Sequence, residues 1–165
     1  MSARVMWRAA VVTAGLTALT VVGVATAQAP MNADSAIEAR KKLMKDQGAA
    51  WKNIQDNAKT GNWAVVAANA EIISKNAAKI PSLFPEGSLT DKSKAKPDIW
   101  QKWPEFQAAA KNLENRSATL RDQAMAKDGA AVTATVANFG RDACGACHTP
   151  FRVPPPQQQP AQPRS

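Results

Sequence analysis

The chain has 165 residues, 45% of them hydrophobic, which is one domain's worth of sequence rather than two. Its 21 Lys and Arg against 13 Asp and Glu give a net charge of +8 that favours anionic partners, but no block of five like charges forms a nucleic-acid-binding stripe. Two cysteines and one histidine are too few for a structural zinc site, which needs about four such ligands.

Residues 1–27 have the form of an export signal. Arg4 and Arg8 precede an uncharged apolar run over residues 9–24, and residues 25–27 (ATA) match the A-x-A cleavage pattern. The alternative is an uncleaved membrane anchor, because the apolar run approaches the length that spans a bilayer. Cleavage before Gln28 would place the mature chain in a bacterial periplasm and lower its formal charge to +6.

The first predicted helix begins at Ser35, since Ser35 and Glu38 have the spacing of a capping box, and ends near Gly61. A second helix runs from Asn62, as its cap, to Ile80, where Pro81 ends it. The short turn between them predicts antiparallel packing. The predicted inward residues are Ile37, Arg40, Met44, Trp51, Ile54 and Ala58 in the first helix and Trp63, Val66, Ala70 and Ile73 in the second.

Residues 81–97 carry three prolines and read as a long crossing loop. A third helix is predicted from Asp98 to Met125, with its first turn separate or kinked because of Pro104. A fourth covers residues 130–149. Its inward residues are Val132, Val136, Phe139 and Ala143, and those of the third are Phe106, Leu113 and Leu120. The sequence therefore predicts an all-α four-helix bundle over residues 28–152, followed by a flexible Pro/Gln-rich tail over residues 153–165.

The end of the fourth helix carries the motif C-x-x-C-H at residues 144–148. At this spacing two thiols can hold a haem through its vinyl groups while the adjacent histidine ligates the iron. Cys144, Cys147 and His148 also leave one face of a helix, so they can meet one flat macrocycle. The motif therefore predicts one covalent haem c, attached through Cys144 and Cys147, with His148 as an iron ligand.

Three other interpretations of the motif compete with haem attachment. A thioredoxin-like redox pair requires a strand before Cys144, where the sequence is alanine-rich and helical. A disulfide between Cys144 and Cys147 would close a very small, strained loop and leave His148 without a role. The third is an empty motif on a purely structural bundle, which haem analysis in acid acetone would test.

The chain resembles the class II c-type cytochromes, the cytochrome c′ family, in carrying its haem motif at the C-terminal end of four helices. The resemblance covers nearly all of residues 33–152 and implies an up-down-up-down bundle. Pro150 and the Pro/Gln-rich tail depart from the family pattern. The matching segments are residues 40–45 (RKKLMK), 83–85 (LFP), 87–88 (GS), 97–100 (PDIW) with Phe106, and 144–148 (CGACH) followed by Phe151 and Arg152.

The resemblance places Met44 on the distal side of the iron, where a thioether can act as the sixth ligand of a low-spin electron carrier. Gly48, one turn later, would leave room for the macrocycle. If Met44 is only an adaptable core residue, the iron stays five-coordinate and open to gases. The resemblance also implies that Arg40 lies near a haem propionate, which a guanidinium suits, and an exposed arginine is the alternative. Arg152 is expected at the haem edge.

These observations predict a periplasmic carrier of single electrons, without enzymatic activity of its own, that cycles its iron between His148 and Met44. The alternative is a high-spin module that binds nitric oxide or carbon monoxide. Expected partners are transient acidic redox proteins and a second copy of the chain, but neither nucleic acid nor, after signal cleavage, the membrane. We expect the tryptophans of the bundle to pack rather than relay electrons: Trp51, Trp63, Trp100 and Trp103.

Overall fold

The computed structural model describes residues 31–155, and the regular secondary structure in this range is helical apart from one isolated bridge between Ala95 and Arg152. The predicted signal peptide and residues 156–165 of the tail lie outside it. The helices are α1 (Ala33–Ala58), α2 (Trp63–Ala77), α3 (Asp98–Gln101), α4 (Trp103–Met125), α5 (Gly129–Phe139) and α6 (Ala146–Phe151), with a 3-10 turn at Pro81–Leu83 and a π-helical turn at Gly140–Gly145.

The four long elements form the predicted four-helix bundle, in which α5, the π turn and α6 together make the fourth member. Helix α2 packs against α1 and α4, and α5 packs against the same two helices. Most predicted inward residues are buried, and the rest pack against the core. Trp51 of α1 stacks on Phe139 of α5 with ring centroids 4.8 Å apart, which confirms a packing role for this tryptophan.

The first two helices differ from their predicted bounds at one end each. Helix α1 is capped by Asn32, whose side chain accepts a hydrogen bond from the Ser35 amide at 2.8 Å, so the predicted capping box at Ser35 is wrong. Asparagine is a strong cap, and it occurs three residues earlier. Helix α2 ends at Ala77 rather than Ile80. Pro81 has no N–H to donate to the Ala77 carbonyl, as the next turn of an α-helix would require. That carbonyl instead accepts a hydrogen bond from the Ile80 amide at 3.0 Å.

The break predicted at Pro104 is confirmed. Helix α3 is a separate turn that ends at Gln101. The next residue, Lys102, has a backbone (φ −122°, ψ 47°) that is not helical, and α4 begins at Trp103. Pro104 therefore lies in the first turn of α4, where its missing N–H breaks no helical hydrogen bond.

The fourth helix is not the continuous α-helix predicted over residues 130–149. Asp128 caps its start by accepting from the Ala131 amide at 3.0 Å, and the α-helix gives way to the π turn after Phe139. In that turn the Asp142 carbonyl accepts a hydrogen bond from the side chain of Asn112 in α4 at 2.8 Å. Pro150 lies inside α6 without ending it before Phe151.

Candidate functional site

Two adjoining cavities, of about 290 and 130 Å³, lie between α1 and the C-terminal part of the bundle. Met44 of α1 and Cys147 and His148 of α6 line both of them. The six site residues predicted from the sequence all line one or both cavities: Arg40, Met44, Cys144, Cys147, His148 and Arg152. The structure thus brings together side chains that are up to 112 positions apart.

One wall of the site is the C-x-x-C-H motif. Both thiols are free and half-buried. Burial raises the pKa of Cys144, and it raises the pKa of Cys147 to about 11, with a smaller effect from Cys144. Partial burial lowers the pKa of His148, and the positive charge of Arg152 lowers it further. The wall therefore presents two thiols and an imidazole, and the neutral form of histidine is the one that binds a metal.

Helix α1 contributes a second part of the lining, a stripe of residues along one face. Met44 is half-buried and borders both cavities, and Gln47, Gly48 and Trp51 border the smaller one. A Cβ atom added at Gly48 would meet no atom within 4 Å, so the predicted free space beside Met44 is present. Met44 and His148 therefore line the same space from two different helices, α1 and α6.

Arg40 is a buried cation, only 6% exposed, so the alternative of an exposed arginine is wrong. Its Nε donates to the Ala36 carbonyl at 3.2 Å and its Nη2 to the Ser88 carbonyl at 2.6 Å, while its guanidinium carbon lies 4.4 Å from the centre of the Phe84 ring. Its Nη1 is buried without a hydrogen-bond partner among the described residues. Burial lowers the pKa of Arg40, yet an arginine stays protonated in a protein. A buried charge with an unused donor is suited to an anionic partner.

Arg152 is exposed at the mouth of the larger cavity, and its Nη1 donates to the Val153 carbonyl at 3.3 Å. Its backbone joins the crossing loop, because the Lys96 amide donates to the Phe151 carbonyl at 2.9 Å and the Val153 amide to the Lys94 carbonyl at 2.8 Å. These bonds fasten the loop beside the motif.

Sequence reasoning gave no role to several residues of the site. Phe84 and Ser88 hold Arg40 but belong to a loop 44 to 48 residues away in sequence. The sequence offered one indication that Gln47 belongs to the site, namely its position one helical turn after Met44. The other residues without a predicted role line the larger cavity, and these are Lys41, Ile80, Lys92, Ser93, Lys94 and Ala95.

Residues 35–152 match the family model described as Cytochrome C'. The chain belongs to the cytochrome c′ family. A cytochrome c-556 of Agrobacterium fabrum (strain C58 / ATCC 33970) is 35% identical over 121 residues, 71% of this chain and 80% of the relative. A cytochrome c-556 of Agrobacterium tumefaciens (strain B2A) is 32% identical over 120 residues, 71% of this chain and 96% of the relative.

Solved structures agree on the cytochrome c′ fold. The crystal structure of cytochrome c′ from Thermochromatium tepidum matches with a TM-score of 0.69 and 24% identity, covering 76% of this chain and all of that one. The bundle predicted from the resemblance is thereby confirmed. Within residues 31–155, no helix combines the length and apolarity needed to cross a membrane.

Members of the cytochrome c′ family carry a covalently bound haem c, and the residues present here fit that group. The two thiols share one wall of a mostly apolar cavity, where apolar surroundings suit a macrocycle. The unused donor of Arg40 suits a carboxylate such as a haem propionate. The haem c of this chain is held through Cys144 and Cys147.

Proposed function

We propose that this cytochrome carries single electrons with His148 and Met44 as the two axial ligands of its iron. The observation that carries the proposal is that Met44 of α1 and His148 of α6 line the same two cavities. A thioether is a soft ligand, and a Met/His pair is one of the ligand sets of cytochromes.

The haem supplies the Fe(III)/Fe(II) couple, and the chain supplies its surroundings. Apolar side chains such as Ile73 and Leu113 border the smaller cavity and exclude water from the space beside Met44. A dry pocket and two ligands kept in both oxidation states favour small reorganisation on electron transfer. We assign no catalytic residue.

Two arginines complete the proposed haem site. Nη1 of Arg40 donates to a propionate, which provides the anion that this buried cation needs. Arg152, exposed at the cavity mouth, lies at the haem edge and contributes positive charge there. The assignment of Arg40 has more structural support than that of Arg152, because three contacts within the chain already hold the Arg40 side chain in place.

Export and partners belong to the same proposal. We place the mature protein in a bacterial periplasm, with residues 1–27 removed as a signal peptide, as the sequence predicts. Lys94 and Arg152 border the larger cavity, and neither forms a salt bridge within residues 31–155. This unpaired basic surface is where transient acidic redox proteins dock.

A homodimer is also proposed, since a solved cytochrome c′ with 25% identity and a TM-score of 0.69 is described as showing ligand-controlled dimer dissociation.

The absorption spectrum of the purified protein tests the proposed ligand set. We expect sharp, split low-spin bands after reduction with dithionite, a weak methionine-to-iron band at the red end of the oxidised spectrum, and little response to carbon monoxide. A broad high-spin spectrum that shifts at once with carbon monoxide would contradict it.

The second candidate function is gas binding at the same iron. It is favoured by the smaller cavity, which extends past Met44 along Gly48 and Trp51 with room for a diatomic molecule. A cytochrome c prime variant of Alcaligenes xylosoxidans that shares this fold, at 21% identity, was solved with carbon monoxide bound.

Replacing Met44 by alanine separates the two functions. If Met44 ligates the iron, Met44→Ala converts the protein to a high-spin form that binds carbon monoxide, because the sixth ligand is lost. If the iron is already five-coordinate, the spectrum hardly changes. Leu43→Ala is the matched control, since Leu43 is buried in the core but lines neither cavity. It should lower the thermal midpoint and leave the spin state unchanged.

A further inference from the structure

Gln47 is a buried polar side chain at the site that the proposed ligand set leaves without a role. It is 9% exposed, it lines the smaller cavity, and its Nε2 has no hydrogen-bond partner within residues 31–155. An unsatisfied buried amide costs about 1–3 kcal/mol, so an amide at this position requires an acceptor.

A second buried amide, which lines neither cavity, provides a comparison for the hydrogen bonding of Gln47. Asn69 of α2 is also 9% exposed, and its Nδ2 donates to the Val65 carbonyl at 2.8 Å. Its Oδ1 accepts from Asn53 of α1 at 3.2 Å. Asn69 is therefore satisfied at both ends by the bundle, whereas the Nε2 of Gln47, a residue that lines the smaller cavity, has no partner among the described residues.

The smaller cavity offers few side-chain acceptors for the Gln47 amide. Cys144, Cys147 and His148 also line it, but the thiols hold the haem and the imidazole is the proposed iron ligand, so none of them is free to accept. Met44 lies on the same wall as Gln47. A thioether sulfur has two lone pairs, so one can bind iron while the other accepts a weak hydrogen bond.

The geometry of α1 favours this pairing. Gln47 follows Met44 by three residues, and residues at this spacing are neighbours on a helix surface. Helical side chains lean towards the N-terminus, so the Gln47 side chain covers the turn that bears Met44. Both side chains are long and unbranched, so their rotamers are less restricted than those of β-branched residues.

We propose that Gln47 is a positioning residue whose Nε2–H donates a hydrogen bond to the Sδ of Met44. This inference rests on the proposed ligation of iron by Met44. The bond orients the thioether and holds it against displacement by external ligands, as hydrogen bonds to metal ligands commonly do. It also satisfies the buried amide.

Displacement of the thioether by imidazole in the oxidised holoprotein tests the inference. The variants are Gln47→Leu, which removes the donor at similar size, and Gln47→Asn, which keeps an amide one methylene too short to reach the sulfur. Asn69→Leu is the matched control because it removes a buried amide that touches neither cavity. Imidazole affinity, the methionine-to-iron band and the thermal midpoint are measured for each.

We expect both Gln47 variants to bind imidazole about fivefold more tightly and to shift the wavelength of the methionine-to-iron band, since one hydrogen bond to the sulfur is lost. Asn69→Leu should lower the thermal midpoint without either spectroscopic change. A Gln47→Leu protein whose imidazole affinity and band match the unsubstituted protein would overturn the inference, as would a Gln47→Asn protein that behaves as the parent does.

Failure of the proposed function is visible before any Gln47 variant is made. If the unsubstituted oxidised protein has no methionine-to-iron band, Met44 is not a ligand, and the inference is overturned together with the ligand set. If that band is present and only the Gln47 variants are unchanged, the ligand set stands and the inference alone is wrong.

Discussion

At the scale of single residues, Arg40 shows how this bundle keeps a charge in its core. A buried cation without an anion is costly, and here only two carbonyls and the face of Phe84 surround it. All three contacts are made by the chain itself, and Nη1 has no partner among the described residues, although Arg40 lines the larger cavity. Arg40 thus links α1 to the crossing loop through Ser88.

Replacing Arg40 by methionine keeps the apolar stem and removes the charge. We expect Arg40→Met to lower the free energy of unfolding of the holoprotein by about 2–3 kcal/mol, because it loses hydrogen bonds of a charged donor to Ser88 and to the proposed propionate. The midpoint of urea unfolding measures this change.

Lys42→Met is the matched control for Arg40→Met. Lys42 is also on α1 but is exposed and paired with Asp46, so its replacement should change the free energy by less than about 0.5 kcal/mol. Equal effects of the two substitutions would show that the burial of Arg40 contributes nothing specific.

At the scale of elements, the π turn that leads into the haem motif and contains its first cysteine, Cys144, marks the point where the fourth member of the bundle departs from α-helical geometry. A π turn inserts one residue into a helix and is frequent at functional sites. Here the inserted turn separates α5, which packs into the core through Val132 and Phe139, from α6, which carries Cys147 and His148 to the cavity. Asn112 stabilises the turn from outside by donating to the Asp142 carbonyl.

Replacing Asn112 by leucine removes this support. We expect Asn112→Leu to lower the free energy of unfolding by about 1–2 kcal/mol, since the Asp142 carbonyl loses its partner, and to lower the fraction of protein that carries covalent haem. Chemical denaturation and the ratio of haem to protein measure the two effects. Asn115→Leu, at an exposed position of the same helix, should change neither.

The limits of sequence prediction are clearest in these elements. The break at Pro104 could be predicted because a missing N–H is a local property of one residue. The π turn could not, because no local residue pattern marks it and the Asp142 carbonyl within it is met by Asn112, 30 residues away in sequence. Likewise the motif alone predicted that Cys144, Cys147 and His148 belong to the site. The contacts that hold Arg40 could not be predicted, because they come from Phe84 and Ser88 in a loop that is distant in sequence. The cap at Asn32 was missed because Ser35 offered a competing local pattern.

At the scale of the whole molecule, positive charge is found at the end of the bundle where the haem cavity opens. Four basic residues line the larger cavity besides Arg40, and these are Lys41, Lys92, Lys94 and Arg152. Lys41 and Lys92 are paired with Glu38 and Asp34, so the unpaired charge at the mouth comes from the other two. If acidic proteins or anions meet the cytochrome here, charge at this end should control the encounter rate more than the same charge elsewhere.

Reversing the charge of Lys94 tests this dependence on position. With ferricyanide as an anionic oxidant of the reduced protein, we expect Lys94→Glu to lower the second-order rate constant several-fold at low salt, because a negative charge at the mouth repels the oxidant. Lys59→Glu makes the same change of net charge beyond the far end of α1, about 28 Å along the helix from Arg40, and should have a much smaller effect. The difference between the two variants should shrink as ionic strength rises past the point where the Debye length falls below about 8 Å, since screening then removes the long-range attraction. Equal rate constants for the two variants at low salt would mean that net charge alone governs the encounter and that electrons do not leave through this end of the bundle.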